Sequence, residues 1–450
     1  MNYRDYFKGK KITQMGLGLL GRGVSDAAFM AECGAELIVT DRKTKAELGP
    51  SIAKLKKFKN ITYVLGEHRL EDFKGRDMIL KGAGVPFHSP FIEFARRNHI
   101  PVEMDASLFA RLAPEGVTLV GVTGTRGKST TTVLIYEILK AAGKTVHLAG
   151  NIKDKATLPL LSIVKEGDYV VLELDSWQLQ GFGDAMFSPQ VAVFTTFYPD
   201  HMNYYRGDMD RYFADKANIF RFKIHDSRFK NKSEENILIS GEQVLPFIQN
   251  YSPDDAKRAL VARAADVPKL WQIKLPGEHN LLNIACAIKA ARALKIDVPT
   301  IKRAVENFGG VEGRLQFVRE VDAVKIYNDN NATTPQATMA ALKALNDGSK
   351  NIMLIMGGAD KNLDMTTLAE EIPKYCKALV LLPGTGTDRL PKPRMKNVTE
   401  AKTLKEAVNK AMDEAEGGDI VLFSPAFASF GLFKNEYDRG EQFMKIANSL

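Results

Sequence analysis

A short run of small and charged residues, Gly124-Thr125-Arg126-Gly127-Lys128-Ser129-Thr130, follows the apolar stretch VTLVGV and opens a helix-patterned one. Glycines at such a junction let backbone N–H groups turn inward around phosphate oxygens, and the helix N-terminus adds positive potential. Lys128 supplies a neutralising charge and the Ser129 hydroxyl suits Mg²⁺. The run departs from the full phosphate-loop spacing because Val122 stands where the first glycine belongs, yet strand, loop and helix in succession still predict phosphate binding. A second glycine pattern, Gly16-x-Gly18-x-x-Gly21, precedes Asp41 by the interval of a dinucleotide fingerprint. It predicts a nucleotide and leaves open which one, since a nicotinamide cofactor uses the same spacing. Two nucleotide sites on one chain, one of them with a Lys-Ser pair, favour ATP plus a nucleotide-bearing substrate over hydride transfer.

Three more residues are placed for chemistry. Glu173, in VVLELDSWQLQ, falls near the end of a predicted strand, and Asp200-His201 follows the strand-like VAVFTTFYP. Loops after strand C-termini form the ligand crevice of open α/β sheets, so Glu173 and His201 are candidate Mg²⁺ ligands. Lys216, in DRYFADKANIF, reads by itself as an ordinary helical lysine on a solvated face.

The elements that must position these residues alternate regularly. From Lys11, KITQMGLGLLGRGVSDAAFMAECGAELIVTDRK reads as strand, glycine turn, helix and strand, and DMILKGAGVP with FIEFARRNHIPV adds another round. Beyond VTLVGVTG the alternation resumes through YVVLELDSWQLQ and QVAVFTTFYPDH, and closes with GEHNLLNIACAIKAARALKID and a helix around Ile301–Phe308. The stretch GGVEGR reads as a hinge, after which VKIYNDNNATTPQATMAALKAL, NIMLIMGGADKN, ALVLLPGTG and DIVLFSPAFASFG give a third set. The prediction is an α/β chain of three domains, 1–115, 116–311 and 312–450. The first and last are Rossmann-like, and the central one is a mostly parallel sheet carrying the phosphate loop.

Bulk composition narrows the classes. At 45% hydrophobic and 26% charged residues, the 450-residue chain fits a folded globular protein of several domains rather than a disordered one. A net charge of +8 reads either as a solvated basic surface or as attraction for polyanionic small molecules, and it is too diffuse to indicate nucleic acid. Cys33, Cys286 and Cys376 lack metal-ligand or disulfide-framework spacing, and a reducing cytoplasm fits them. The N-terminus has no signal-peptide core and no run of about 18 apolar residues occurs, so neither export nor a membrane span is expected.

Taken together, the segments TGTRGKSTTT, AGN at 149–151, LELDSWQL, DHMN, the lysine of YFADKANIF, LPGEHNLLN, the arginine of GGVEGR, YNDNNATTP, GGADK and LFSPAFASFGLFKNEYDRGEQF resemble the Mur ligase family, in order and over essentially the whole chain. GLGLLG with TDRK, and the C-terminal FKN and DRG, resemble its glutamate-adding branch.

The resemblance implies ATP-dependent joining of glutamate to UDP-N-acetylmuramoyl-L-alanine through an acyl phosphate, by a cytoplasmic monomer with no nucleic-acid or membrane partner. D-glutamate is the expected acceptor and L-glutamate the alternative. Leu19, Leu20, Asp41, Arg42, Gly84 and Asn151 would hold the UDP moiety. Gly124, Thr125, Gly127, Lys128, Ser129, Thr130, Asn280, Asn283, Arg314 and Asp329 would hold ATP. Ser129, Glu173, His201 and Lys216 would hold two Mg²⁺ ions, with Lys216 carrying a CO₂-derived carbamate. Thr333, Lys361 and Ser429 would hold glutamate.

Several positions depart from the branch pattern. Asn331 stands in place of a lysine, Asp175-Ser176 in place of a serine pair, Gly313 in place of a histidine, and Glu436 where an aromatic is common, next to Tyr437.

Overall fold

The computed structural model describes residues 2–19, 21–152, 155–222 and 236–450. Three sheets follow one another along the chain. The first has strands β1 (Lys11–Met15), β2 (Glu36–Asp41), β3 (Ile61–Leu65), β4 (Met78–Lys81) and β5 (Val102–Glu103) in the order β3-β2-β1-β4-β5. All its pairings are parallel. The second has β6 (Thr118–Thr123), β7 (Val146–Gly150), β8 (Tyr169–Glu173), β9 (Val191–Phe194), β10 (Ile237–Gly241) and β11 (Leu260–Ala262) in the order β11-β10-β9-β6-β8-β7. It too is parallel throughout. The third has β12 (Gln316–Val321), β13 (Val324–Asn328), β14 (Ile352–Gly357), β15 (Cys376–Leu382), β16 (Val398–Glu400) and β17 (Ile420–Phe423) in the order β12-β13-β17-β14-β15-β16. Only its first pair, β12 with β13, is antiparallel.

Central strands of parallel sheets are covered on both faces and so are apolar almost without interruption. The strands here follow that rule: every residue of β4, β9, β14 and β17 is buried. Strand order reverses beside β1 in the first sheet and beside β6 in the second, and the two glycine loops follow those strands. In doubly wound sheets this is where a ligand crevice opens.

The chain forms two compact units. One comprises Met1–Asp266 with Leu282–Ile301 and contains the first two sheets; the other comprises Val267–Leu281 with Lys302–Leu450 and contains the third. Cys33, Cys286 and Cys376 are free thiols. Among the described residues no helix is long and apolar enough to cross a membrane.

Candidate active site

The phosphate-loop candidate lies between β6 and the helix Lys128–Ala141. Val122, which breaks the longer consensus, is a fully buried residue of β6 paired with Glu173 and Val193, so the loop begins two residues later, at Gly124. Gly124 has φ +149° and Gly127 φ +84°. A Cβ on the first would collide with the Thr195 hydroxyl, and one on the second with the Asn283 side chain. The conformation therefore demands glycine at both places.

Two threonines on the neighbouring strand end brace the loop. The Arg126 N–H donates to Thr196 Oγ1 at 2.9 Å, and the Thr195 and Thr196 hydroxyls lie 2.6 and 3.0 Å from the Arg126 carbonyl oxygen. Sequence reasoning passed over this pair. Its only signal was two hydroxyls at the C-terminal end of a strand expected beside the loop.

Two lysines converge on the same carbonyl. Lys128 Nζ donates to Gly124 O at 3.0 Å and to Thr125 O at 3.1 Å, and Lys216 Nζ donates to Gly124 O at 3.0 Å. Lys216, on the helix Met209–Ala217, is only 2% exposed, which corrects its reading as a lysine on a solvated face. Burial lowers its pKa well below the ordinary value, and the neighbouring Lys128 charge pushes the same way. The neutral amine is thus favoured. Its head also lies 5.0 Å from the centre of the Tyr212 ring.

Glu173 ends β8 and is buried, and its Oε2 has no hydrogen-bond partner. A buried, unsatisfied carboxylate oxygen is costly and is the kind of group that a hard cation satisfies. His201 adopts a left-handed backbone (φ 53°), and its ring packs 4.6 Å from that of Trp177. Ser129 is half-buried in the first turn of the loop's helix. No cluster of three His, Cys, Asp or Glu side chains among the described residues could hold a metal by itself. The orphaned Glu173 oxygen fits a magnesium ion that keeps water and phosphate oxygens among its ligands, since this ion seldom takes an all-protein cage.

Asp175, in place of the family serine, is the N-cap of the helix Ser176–Asp184. It accepts from the Gln178 N–H at 2.7 Å within a capping box. Serine and aspartate cap equally well, so the departure keeps the local structure intact.

In the first sheet the loop after β1 is held by Asp41. Its Oδ2 accepts the Leu17 and Gly18 N–H groups at 2.9 and 3.0 Å, and its Oδ1 accepts Lys43 N–H at 2.9 Å. The carboxylate thus shapes the glycine loop through the backbone. Leu19 and Arg42 are exposed, Gly84 has open space where a Cβ would be, and Leu20 lies outside the described residues. Arg22 donates to Gly150 O at 3.2 Å, and Asn151 N–H donates to Glu173 O at 2.8 Å. The start of the helix Arg22–Glu32, Asn151 and Glu173 are thereby linked within one compact unit.

Asp41→Ala would leave the Leu17 and Gly18 N–H groups without their acceptor and loosen the loop. On the expectation that this loop holds the UDP moiety, the substitution should weaken UDP binding by about 1–3 kcal/mol, read by titration with UDP, while ATP binding stays as in the unsubstituted protein.

Asn283, in the first unit, is buried against Gly127, and its carbonyl accepts the Thr131 hydroxyl at 3.4 Å. In the second unit Asn280 is buried and donates to Pro276 O at 2.8 Å. Asp329, the residue after β13, accepts from Leu315 N–H at 2.9 Å and from the Ser424 hydroxyl at 2.8 Å. Burial pushes its carboxyl up to about 7 against those two hydrogen bonds and the Arg314 charge.

The loops after β13, β14 and β17, three adjacent strands, carry Thr333, Lys361 and Ser429. Lys361 Nζ donates to Thr333 Oγ1 at 2.8 Å. Ala359 and Ala428 exchange backbone hydrogen bonds of 2.9 and 3.1 Å, which brings the segment before Ser429 beside the segment before Lys361. Two departures from the family pattern meet here. Asn331 N–H donates to Gly313 O at 2.8 Å, and a Cβ on Gly313 would come within 3.1 Å of the Asn331 side chain. The small residue at 313 and the short amide at 331 occupy one place.

Comparison with known proteins adds a lineage to this geometry. The Mur ligase middle domain matches residues 122–291, and the Mur ligase, glutamate ligase domain matches residues 313–427. The chain is 36% identical to a UDP-N-acetylmuramoylalanine--D-glutamate ligase of Roseiflexus sp. (strain RS-1), over 98% of this chain and 99% of that one. It is 34% identical to the protein of the same name from Borreliella burgdorferi (strain ZS7), over 99% of each. Among solved structures it resembles the MurF ligase from Thermotoga maritima in complex with ADP (TM-score 0.57, 17% identity, 100% of this chain and 96% of that one). It also resembles the UDP-N-acetylmuramate-alanine ligase of Thermotoga maritima (TM-score 0.56, 18% identity, 98% and 99%). At these identities the structural likeness speaks to the fold: α/β units built on mostly parallel sheets.

Proposed function

The chain belongs to the Mur ligase family, and from that premise we propose that it joins D-glutamate to UDP-N-acetylmuramoyl-L-alanine while ATP is converted to ADP and phosphate. As a member of that family it is an ATP-dependent carbon–nitrogen ligase of peptidoglycan precursor synthesis. We assign the UDP moiety to residues 1–115, ATP to 116–311 and the amino acid to 312–450, in a cytoplasmic monomer.

A carboxylate does not acylate an amine in neutral water, because its oxygen leaves poorly. Transfer of the γ-phosphoryl group from ATP to the carboxylate of the alanyl substrate breaks the bond to ADP and makes an acyl phosphate. The glutamate amine then attacks the carbonyl carbon, a tetrahedral intermediate forms, and phosphate departs as the proton leaves nitrogen. Lys128 and the loop N–H groups would hold the phosphates. Asn280, Asn283, Arg314 and Asp329 are further proposed ATP contacts. Magnesium, when bound, would withdraw charge from the transferring group, and Ser129, Glu173, His201 and carbamylated Lys216 are the residues proposed to hold two such ions. The observation that carries the phosphoryl-transfer reading is the meeting of Lys128 and the buried Lys216 on the Gly124 carbonyl. A free amine is what reacts with CO₂: the nitrogen lone pair forms the N–C bond and an N–H proton leaves to water.

A dicarboxylate acceptor is supported by the Lys361–Thr333 pair and the nearby Ser429 loop, which offer charge and directional donors. L-glutamate is the second reading, favoured by the neutral Asn331 that packs on Gly313 in place of the family lysine. The test is phosphate release with UDP-N-acetylmuramoyl-L-alanine and each amino acid at equal concentration. D-glutamate is expected to give the fastest release. Preference for L-glutamate would overturn the enantiomer, and preference for a neutral or basic amino acid would overturn both readings. Lys361→Ala is expected to raise the KM for glutamate by about tenfold or more, with the KM for ATP unchanged.

A further inference from the structure

We infer that Arg439 is a positioning residue for the acceptor amino acid: it ties the loop bearing Thr333 to the loop bearing Ser429 and keeps a positive charge there for an acceptor carboxylate to balance. This rests on the reading of the third sheet as the site of an acidic amino acid.

Arg439 lies in the helix Glu436–Asn448 and is 0% exposed. Three of its five N–H directions are taken by two loops. Nε donates to Asn330 Oδ1 at 2.7 Å and Nη2 to Asn330 O at 2.9 Å, while Nη1 donates to Phe427 O at 3.1 Å. Asn330 is three residues before Thr333, and Phe427 is two before Ser429. The planar guanidinium fork therefore sets the spacing of two loops that carry proposed acceptor contacts, a task that a lysine's single ammonium does poorly. The Asn330 side chain extends the tie, donating to Glu436 O at 2.8 Å.

Every partner that these bonds give Arg439 is a neutral oxygen, and no carboxylate among the described residues is ion-paired with it. Burying an arginine without a carboxylate is costly, and proteins seldom do it without a reason. Burial pushes its pKa down to about 10, with the Glu436 carboxylate pulling it back up. Lys361 feels the same neighbours: burial lowers its pKa first, the Arg439 charge lowers it further, and Glu436 opposes. Lys361, which reaches Thr333, thus feels both the Arg439 cation and the Glu436 carboxylate. An incoming carboxylate supplies the balancing charge. Glu436 works against it, which is a physical role for a residue that stands where the family commonly has an aromatic.

The experiment is steady-state kinetics on the full chain, with phosphate release read against glutamate, ATP and the UDP substrate in turn. Arg439→Met is expected to raise the KM for glutamate about tenfold or more, leaving the other two KM values within about twofold, and Arg439→Lys should recover only part of the loss. Glu436→Gln should move the glutamate KM the opposite way, downward. An opposite pair of shifts is not produced by general loosening of the fold. If folded Arg439→Met keeps the glutamate KM of the unsubstituted protein, or if all three KM values rise together, the inference is overturned. Should Arg439→Met fail to fold, an unchanged or raised glutamate KM in Glu436→Gln overturns it equally. If the unsubstituted protein releases no phosphate with either enantiomer of glutamate, it is the functional reading that has failed.

Discussion

Lys128→Ala is expected to lower ADP formation by on the order of 10³-fold or more while leaving UDP-substrate binding intact. The ammonium sits on the Gly124 and Thr125 carbonyls at the mouth of the helix Lys128–Ala141, where arriving phosphates need a cation. Alanine keeps the helix and removes the charge. The loop should hold its shape, because Thr195 and Thr196 grip Arg126 without help from Lys128. A stability change within about 1 kcal/mol is therefore expected. The glycine loop of the first sheet is shaped by Asp41 and shares none of these bonds. Calorimetric titration with the UDP substrate, beside a coupled ADP assay, checks both halves. Equal loss of UDP binding in a folded variant would show that the two nucleotides were wrongly assigned to separate sheets. The substitution also removes the second-largest influence lowering the Lys216 pKa, so Lys216 should hold its proton more firmly in the variant.

The strand–loop–helix rhythm and the glycine loops were legible in the sequence because each is a local pattern with a local cause. A strand covered on both faces, such as the MILK of β4, must be apolar nearly throughout, and a backbone with φ of +84° at Gly127 all but demands glycine. What was not legible depends on partners far away in the chain. The spacing places Asp41 beside the glycine loop, but it does not show that both of its oxygens are engaged by backbone N–H groups, two of them 23 and 24 residues earlier. Thr195 and Thr196 meet Arg126 across about 70 residues, a pairing that no short motif encodes. Lys216 by helical periodicity looked solvated, and only the approach of its helix to Gly124, 92 residues away, buries it. Arg439 is the extreme case. In sequence it is one charge among several in a C-terminal helix, and nothing local distinguishes a surface arginine from one that is wholly enclosed.

Lys216→Met is expected to lower activity by about 10²-fold or more without weakening the fold. Methionine has nearly the same length and no charge, so it fills the space beneath the phosphate loop but gives up the one hydrogen bond, to Gly124 O. The electrostatic side favours the variant. The pKa of Lys216 in the folded chain lies below the unfolded value of 10.5, so between the two the unfolded chain binds the extra proton. Stability conferred by this group therefore rises with pH through that window and is lowest below the folded pKa, where a buried ammonium must be tolerated. Lys216→Met has no such slope, and its melting temperature should equal or exceed that of the unsubstituted protein on the acid side. Thermal melts of both proteins across pH measure this directly. The chemical role is separable, because the neutral amine that burial favours is the form that takes up CO₂. Activity of the unsubstituted protein should fall when CO₂ and bicarbonate are rigorously removed and return when bicarbonate is added, whereas the variant should be indifferent to both. A variant that keeps full activity would remove Lys216 from the mechanism. An unsubstituted protein that is insensitive to CO₂ would leave Lys216 a structural prop for Gly124, and the carbamate would have to be abandoned.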